Sequence, residues 1–276
     1  MSITSEYYNA ICAVQLFNNN AEVLLRKFIE DHPQNANIKY IYFQLGNFQY
    51  SKKNYRAVLK SFSQVDQYDL SAQERIEYHF KYGYAYFTLE QIDKAGEHFF
   101  QIINKDSRFK SSAIYYYSHI SYTQKNYQTA LTGFLSLKDD EAFKPVVPYY
   151  VTHIYYLQEN YTDLLKIAPS LYEKATPGRK PEIARLIGEA YYRTNKYSEA
   201  IPYLQEYHKK AGQYASPEEQ YQLAFSYYKM QKFDKAIEYF KHISIGSDSL
   251  AQNANYHMAF CYTQLGQKKF ALHAFQ

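Results

Sequence analysis

Leu223-Ala224-Phe225-Ser226-Tyr227-Tyr228-Lys229-Met230-Gln231-Lys232-Phe233-Asp234-Lys235-Ala236-Ile237-Glu238-Tyr239-Phe240 reads as an apolar-periodic segment, a short polar turn and a second apolar-periodic segment. Small residues stand at Ala224 and Ala236, aromatics at Tyr227 and Phe240. The same arrangement returns along almost the whole chain. It describes a scaffold better than it describes a reaction.

Aligning the chain on the residue that opens each second segment gives a column: Ala21, Val58, Ala95, Ala130, Leu164, Ala200, Ala236 and Ala271. Successive members lie 37, 37, 35, 34, 36, 36 and 35 residues apart. Twelve residues upstream stands a second column, mostly small: Asn9, Gly46, Gly83, Ser118, Thr152, Gly188, Ala224 and Ala259. Four residues downstream stands a bulky one: Leu25, Phe62, Phe99, Phe134, Ala168, Leu204, Phe240 and Phe275. Small residues let two helices approach closely, and the bulky one fills the space between neighbouring pairs. A generic helical bundle has no reason to keep so narrow a period.

With these columns the chain resembles the tetratricopeptide repeat (TPR) family, whose unit is a helix–turn–helix of about 34 residues. The resemblance covers eight units and implies an all-α fold, a right-handed superhelical solenoid of antiparallel helix hairpins. Residues 1–276 are expected to form a single solenoid. Pro145, Pro181 and Pro217 recur where first helices should begin, a position that tolerates proline because its N–H has no helical partner. Ser216-Pro217-Glu218-Glu219 adds a serine cap with glutamate three residues on. The first unit reads as an atypical end cap. Pro169 falls inside a second helix and predicts a kink or break, so residues 165–181 are the expected place for a bend. The final unit stops at Gln276 inside its second helix. That predicts a longer protein, or self-association through the uncapped C-terminal repeat.

Composition narrows the function classes. The chain has 34 Tyr and 18 Phe but no Trp, and only 9 Gly and 8 Pro. Its net charge of +4 is too mild for a nucleic-acid or membrane footprint. No segment approaches the length of a transmembrane helix, so direct membrane insertion is not expected. Cys12 and Cys261 lie near opposite ends and imply no disulfide framework. The N-terminus lacks the basic and apolar regions of a signal peptide. Phosphate loops, zinc-binding helices and nucleophile elbows are missing from the sequence, so an enzyme is not expected, nor is a cofactor.

The resemblance also implies a concave groove lined by repeat positions two, five, nine, twelve and thirteen of the first helices. Transferred residue by residue, it selects Tyr50, Tyr84, Phe87, His119, Tyr122, His153, Tyr156, Arg185, Glu189, Tyr192, Arg193, Phe225 and Tyr228. These form a ladder of rings, interrupted in the sixth unit by Glu182, Arg185, Glu189 and Arg193. Their helical spacing lets the charges pair with one another, or lets an arginine hold a carboxylate of a bound peptide. His119 and His153 have no Cys, Asp or Glu at ligand spacing, so no metal site is expected. Position five, with Phe43 and Phe80, is assigned to packing between helices.

The resulting expectation is a non-enzymatic protein-interaction scaffold that binds an extended peptide or partner helix in an aromatic groove. A carbohydrate-binding helical-repeat protein of the cell envelope is the alternative, since aromatic faces stack on sugars. Lack of Trp counts against it. RNA binding would need a more basic groove. The Tyr-rich and Phe-rich style resembles bacterial envelope TPR proteins, which points to a periplasmic or envelope-associated location, with the cytosol left open.

Overall fold

The computed structural model describes residues 2–212, 215–244 and 248–275, apart from the side chain of Phe275. Phe275 in the bulky column and the terminal Gln276 therefore fall outside the described side chains. The chain forms two compact units, residues 1–144 and 145–276. The first contains α1 (Ile3–Gln15), α2 (Ala21–Asp31), α3 (Ile38–Ser51), α4 (Tyr55–Phe62), α5 (Ala72–Thr88), α6 (Ile92–Phe100), α7 (Lys110–Thr123) and α8 (Tyr127–Ser136). The second contains α9 (Val147–Leu157), α10 (Tyr161–Lys174), α11 (Lys180–Arg193), α12 (Tyr197–Ala211), α13 (Pro217–Lys229), α14 (Phe233–Phe240), α15 (Ser249–Gln264) and α16 (Lys268–Phe275). Among the described residues there is no strand. Within each unit every first helix packs on its own second helix, and every second helix on the next first helix. The fold is an all-α helical repeat.

The turns inside the hairpins share one backbone device. Lys53, Glu90, Lys125, Glu159, Asn195 and Gln231 take positive φ between 55° and 63°, and Gly266 takes 73°. In the first of these, the Lys53 amide bonds to the Tyr50 carbonyl and the Asn54 amide reaches back to the Gln49 carbonyl. This left-handed stop satisfies the last carbonyls of the first helix. A non-glycine residue there costs about 1 kcal/mol, so the turn is held by the packing on either side.

The residue columns explain that packing. The turn anchors from Ala21 to Ala236 are fully buried, and Leu25, Phe62, Phe99, Phe134 and Phe240 are sealed beneath them. Burying each such side chain stabilises the fold by roughly 1.5–3 kcal/mol. The small column is needed for contact: a methyl group placed on Gly46 would stand 2.2 Å from the Phe62 ring. The first hairpin departs from the expected register. Its left-handed residue, Phe17, lies four residues before Ala21, whereas Lys53 lies five before Val58. The shorter turn shifts α1 by one residue, so Ala10 is buried and Asn9 faces outward.

Proline placement differs in two places. α13 begins on Pro217 and carries the expected Ser216–Glu219 capping box. α9 instead begins at Val147 with Pro148 in its first turn, leaving Pro145 in the preceding turn. α10 runs unbroken through Pro169 and ends at Lys174. Proline removes one helical hydrogen bond, but Leu164 and Ala168 on the same helix are fully buried, and that anchoring offsets the loss. The chain leaves the helix at Ala175, which is extended.

Candidate aromatic groove

The first helices present two runs of contacting rings, one within each unit. In the first unit, Tyr50 of α3 meets Tyr84 of α5 edge-on at 5.7 Å. Tyr84 also stacks on Phe80 at 6.3 Å and meets Tyr116 of α7 at 5.4 Å. Phe87 touches Tyr116 at 5.0 Å and His119 at 5.7 Å. Tyr122 lies farther along α7, against Tyr127 at 6.2 Å. In the second unit, Tyr192 of α11 meets Phe225 of α13 at 6.0 Å, Phe225 meets Tyr228 at 5.6 Å, and Tyr228 meets Phe260 of α15 at 5.5 Å. All these rings are half-buried except Phe80, which is buried, and Phe260, which is exposed.

Partial burial has a specific cause. Residues at the sixth repeat position reach back onto the preceding first helix. Tyr116 sits on Tyr84 and Phe87, and His257 sits on Phe225 and Tyr228 at 5.1 and 4.8 Å. Lys81 does the same to Tyr50, its ammonium 5.4 Å from the ring centre. A stripe drawn through positions two, five, nine and twelve misses this layer. Its one trace in the sequence is Glu77 and Lys81, an i,i+4 pair.

A cleft of about 500 Å³ opens beside Tyr50, with Asn47, Glu77, Lys81 and Arg108 on its wall and Phe17 at its rim. Lys81 donates to the Asn47 side chain at 3.0 Å and to Glu77, which also pairs with Arg108 at 3.5 Å. Burial pushes the Lys81 ammonium below its usual pKa, and the Glu77 carboxylate works in the opposite direction. Burial likewise raises the pKa of the Tyr50 hydroxyl and lowers that of the His119 imidazole.

In the second unit the charged residues engage one another. Arg185 donates to Glu182 at 2.8 Å and to the Tyr156 hydroxyl at 3.4 Å, and lies 3.8 Å from Glu189 and 4.0 Å from Glu219. The Tyr156 hydroxyl donates to Glu189 at 2.7 Å, and Arg193 closes the other side of that carboxylate at 3.3 Å. Burial opposes the Arg185 charge, but the Glu182 and Tyr156 contacts more than compensate and raise its pKa. Glu189 is buried, whereas Arg193 is exposed. The network fixes Tyr156 in place and leaves Arg193 turned to solvent. His153 stands against Tyr156 at 6.2 Å, with its pKa lowered by burial. A separate cleft of about 290 Å³ is lined by Tyr228, Lys229, Gln231, Phe233, Phe260 and Gln264. Lys229 extends over the Phe225 ring at 5.2 Å.

The arrangement offers ring faces, ring edges and a few fixed charges, the equipment of a binding surface. Among the described residues no three His, Cys, Asp or Glu side chains gather as metal ligands would. Among them, too, no helix is long and apolar enough to cross a membrane.

Residues 220–243, which span Leu223–Phe240, match the tetratricopeptide repeat family model. No curated protein matches the chain by sequence. Among solved structures, the chain resembles the C-terminal part of a TPR repeat-containing protein from Cytophaga hutchinsonii, at 16% identity and a TM-score of 0.53, over 84% of this chain and 92% of that one. YrrB, described as a TPR protein with an unusual peptide-binding site, is similar over 65% of this chain and 89% of its own, at 15% identity and a TM-score of 0.51. A point mutant of MamA is similar over 62% of this chain and 96% of its own, at 20% identity and a TM-score of 0.51. These likenesses concern the fold. Stacked hairpins with this spacing and these small and bulky columns give the chain the all-α helical repeat fold of these structures, and residues 220–243 are similar to a tetratricopeptide repeat.

Proposed function

We propose that the chain is a non-enzymatic scaffold that holds an extended peptide segment or a partner helix against the ring runs of its first helices. The observation that carries this reading is the run Tyr192–Phe225–Tyr228, where three half-buried rings from two first helices lie in contact. Interior packing alone does not require rings on that stripe. Ala200, Leu204, Ala224, Ala236 and Phe240 already form the sealed core beneath it. Tyrosine suits a binding surface because it offers a large contact area at a low cost in side-chain entropy. The peptide-binding site named for YrrB, a protein of the same fold, agrees with a groove reader but does not specify the ligand.

Amide hydrogen exchange of the full chain, alone and saturated with a purified protein partner, tests the reading. Added protection is expected in peptides spanning residues 185–193 and 221–229. Protection confined to second helices such as α12 and α14 would place the partner elsewhere.

A further inference from the structure

The hairpins α5–α6 and α7–α8 are built to one plan, and one of them lacks its rings. In α5–α6 the His98 imidazole is enclosed by Tyr78, His79, Tyr82 and Tyr86, with ring centres at 6.1, 5.2, 4.6 and 5.6 Å. The equivalents in α7–α8, counted from Gly83 to Ser118 and from Ala95 to Ala130, are Ala113, Ile114, Tyr117, Ser121 and, for His98 itself, Gly133. Only Tyr117 remains a ring. Two other hairpins, α11–α12 and α13–α14, fill the same site with a stacked pair, Tyr191 on Tyr203 at 5.9 Å and Tyr227 on Tyr239 at 5.8 Å.

In α7–α8 the space is open. A cleft of about 510 Å³ runs between the two helices, with Ile103, Ile114 and Tyr117 on one wall, Thr129 and Thr132 on the other, and Ser118 and Gly133 at its base. The close approach of the helices is kept by a swap. Gly83 on the first helix faces the Cβ of His98, while Gly133 on the second helix faces Ser118, whose hydroxyl is turned back to the Ile114 carbonyl at 2.7 Å. Beside the opening, Phe100 is 55% exposed and leans on Tyr117 at 5.6 Å. An exposed ring therefore stands at the edge of a cleft from which the hairpin's own ring is missing.

We infer that this cleft is a second docking site, and that it takes an aromatic side chain, tyrosine or phenylalanine, carried by a partner protein. The ring-bearing hairpins α5–α6, α11–α12 and α13–α14 define the occupant, because there the same cradle closes around an imidazole or a phenol. An inserted ring meets Tyr117 face or edge, Ile103 and Ile114 as apolar walls, and threonine and serine hydroxyls near its rim. The volume exceeds that of one ring, which leaves room for the backbone that carries it and for contact with Phe100. The site lies on a different stripe of α7 from Tyr115, His119 and Tyr122, so it does not depend on the groove reading.

Nitrogen–proton correlation spectra of the full chain, titrated with N-acetyl-tyrosinamide, with N-acetyl-leucinamide and with a blocked pentapeptide carrying one central tyrosine among alanines, test this. The tyrosine probes are expected to shift the amides of Ser118, Thr132 and Gly133 at concentrations roughly tenfold below those needed for the leucine probe. The pentapeptide is expected to bind more tightly than the amide. Ser118→Gly combined with Gly133→His restores the Gly83–His98 pair of α5–α6, placing a ring in the cleft, and is expected to abolish these shifts while far-ultraviolet circular dichroism stays unchanged. Tyr117→Ala, which removes the wall ring, is expected to weaken them by a similar factor. Equal response to the leucine probe, or shifts that survive both variants, would overturn the assignment. An amide that binds as tightly as the pentapeptide would assign the cleft to free aromatic molecules and overturn the partner.

Discussion

The ring cluster inside α5–α6 and the ring run along α11, α13 and α15 have similar compositions and opposite construction. Around His98 the rings come from one hairpin and close on one another, with Tyr78, His79 and Tyr82 buried. The run Tyr192–Phe225–Tyr228–Phe260 takes its rings from three first helices, and each keeps part of its face in solvent. Where rings close within a hairpin, they set the fold. Where they pass from one first helix to the next, the core beneath is already complete and part of each ring stays in solvent. α13 shows both on consecutive residues: Tyr227 is buried against Tyr239, and Tyr228 is half-buried against Phe225 and Phe260.

Removing a core ring should produce the largest effect. Phe240→Ala empties a fully buried site between α13 and α15, and a loss of about 3–5 kcal/mol is expected in urea unfolding followed by circular dichroism. A loss under about 1 kcal/mol would mean that the bulky column is not what joins the hairpins.

Acid should separate the two regions next. His79 donates from Nε2 to Gln67 at 2.9 Å, so its Nδ1 accepts from Nδ1 of His98 at 3.0 Å, an arrangement that requires a neutral His79 ring. Burial first, and then the neighbouring charges, push both imidazoles from 6.5 down to about 4. Unfolded chains take up these protons below pH 6.5, before the folded protein does. The stability from this pair is therefore fully present above about pH 6.5, falls as the pH drops through the window to about 4, and is gone below it. Compared with a His79→Gln, His98→Gln variant, the wild-type chain should lose roughly 1–3 kcal/mol more between pH 7 and pH 4. Parallel pH profiles for the two proteins would show that the pair is not closed.

The fold was largely legible because its signal is redundant. Small and bulky columns, turn spacing and the Ser216–Glu219 cap all point to stacked hairpins. The misplaced positions have local causes. Asn9 was offset because the first turn is one residue shorter, and Pro145 because α9 starts later, on Val147 with Pro148 in its first turn. Pro169 did not break α10 because burial of Leu164 and Ala168 outweighs one missing hydrogen bond. The candidate site was legible as a stripe but not as a surface. Lys81, Tyr116 and His257 cover the ladder from the next helix, and this follows from how neighbouring helices interlock rather than from the period of any one of them. The open cleft at Gly133 escaped for a related reason, since it appears only when one hairpin is laid over another.

The smallest change in stability should accompany the largest change in function. Tyr192→Ala combined with Tyr228→Ala removes two half-buried groove rings and is expected to lower stability by only about 1–2 kcal/mol. The direct measurement is the dissociation constant of a protein partner for this double variant against the wild-type chain and against Tyr227→Phe, which alters the packed ring beside them. A groove reader predicts a loss of roughly 100-fold or more for the double variant and little change for Tyr227→Phe. Equal affinity for all three proteins would show that the rings of the first helices only pack.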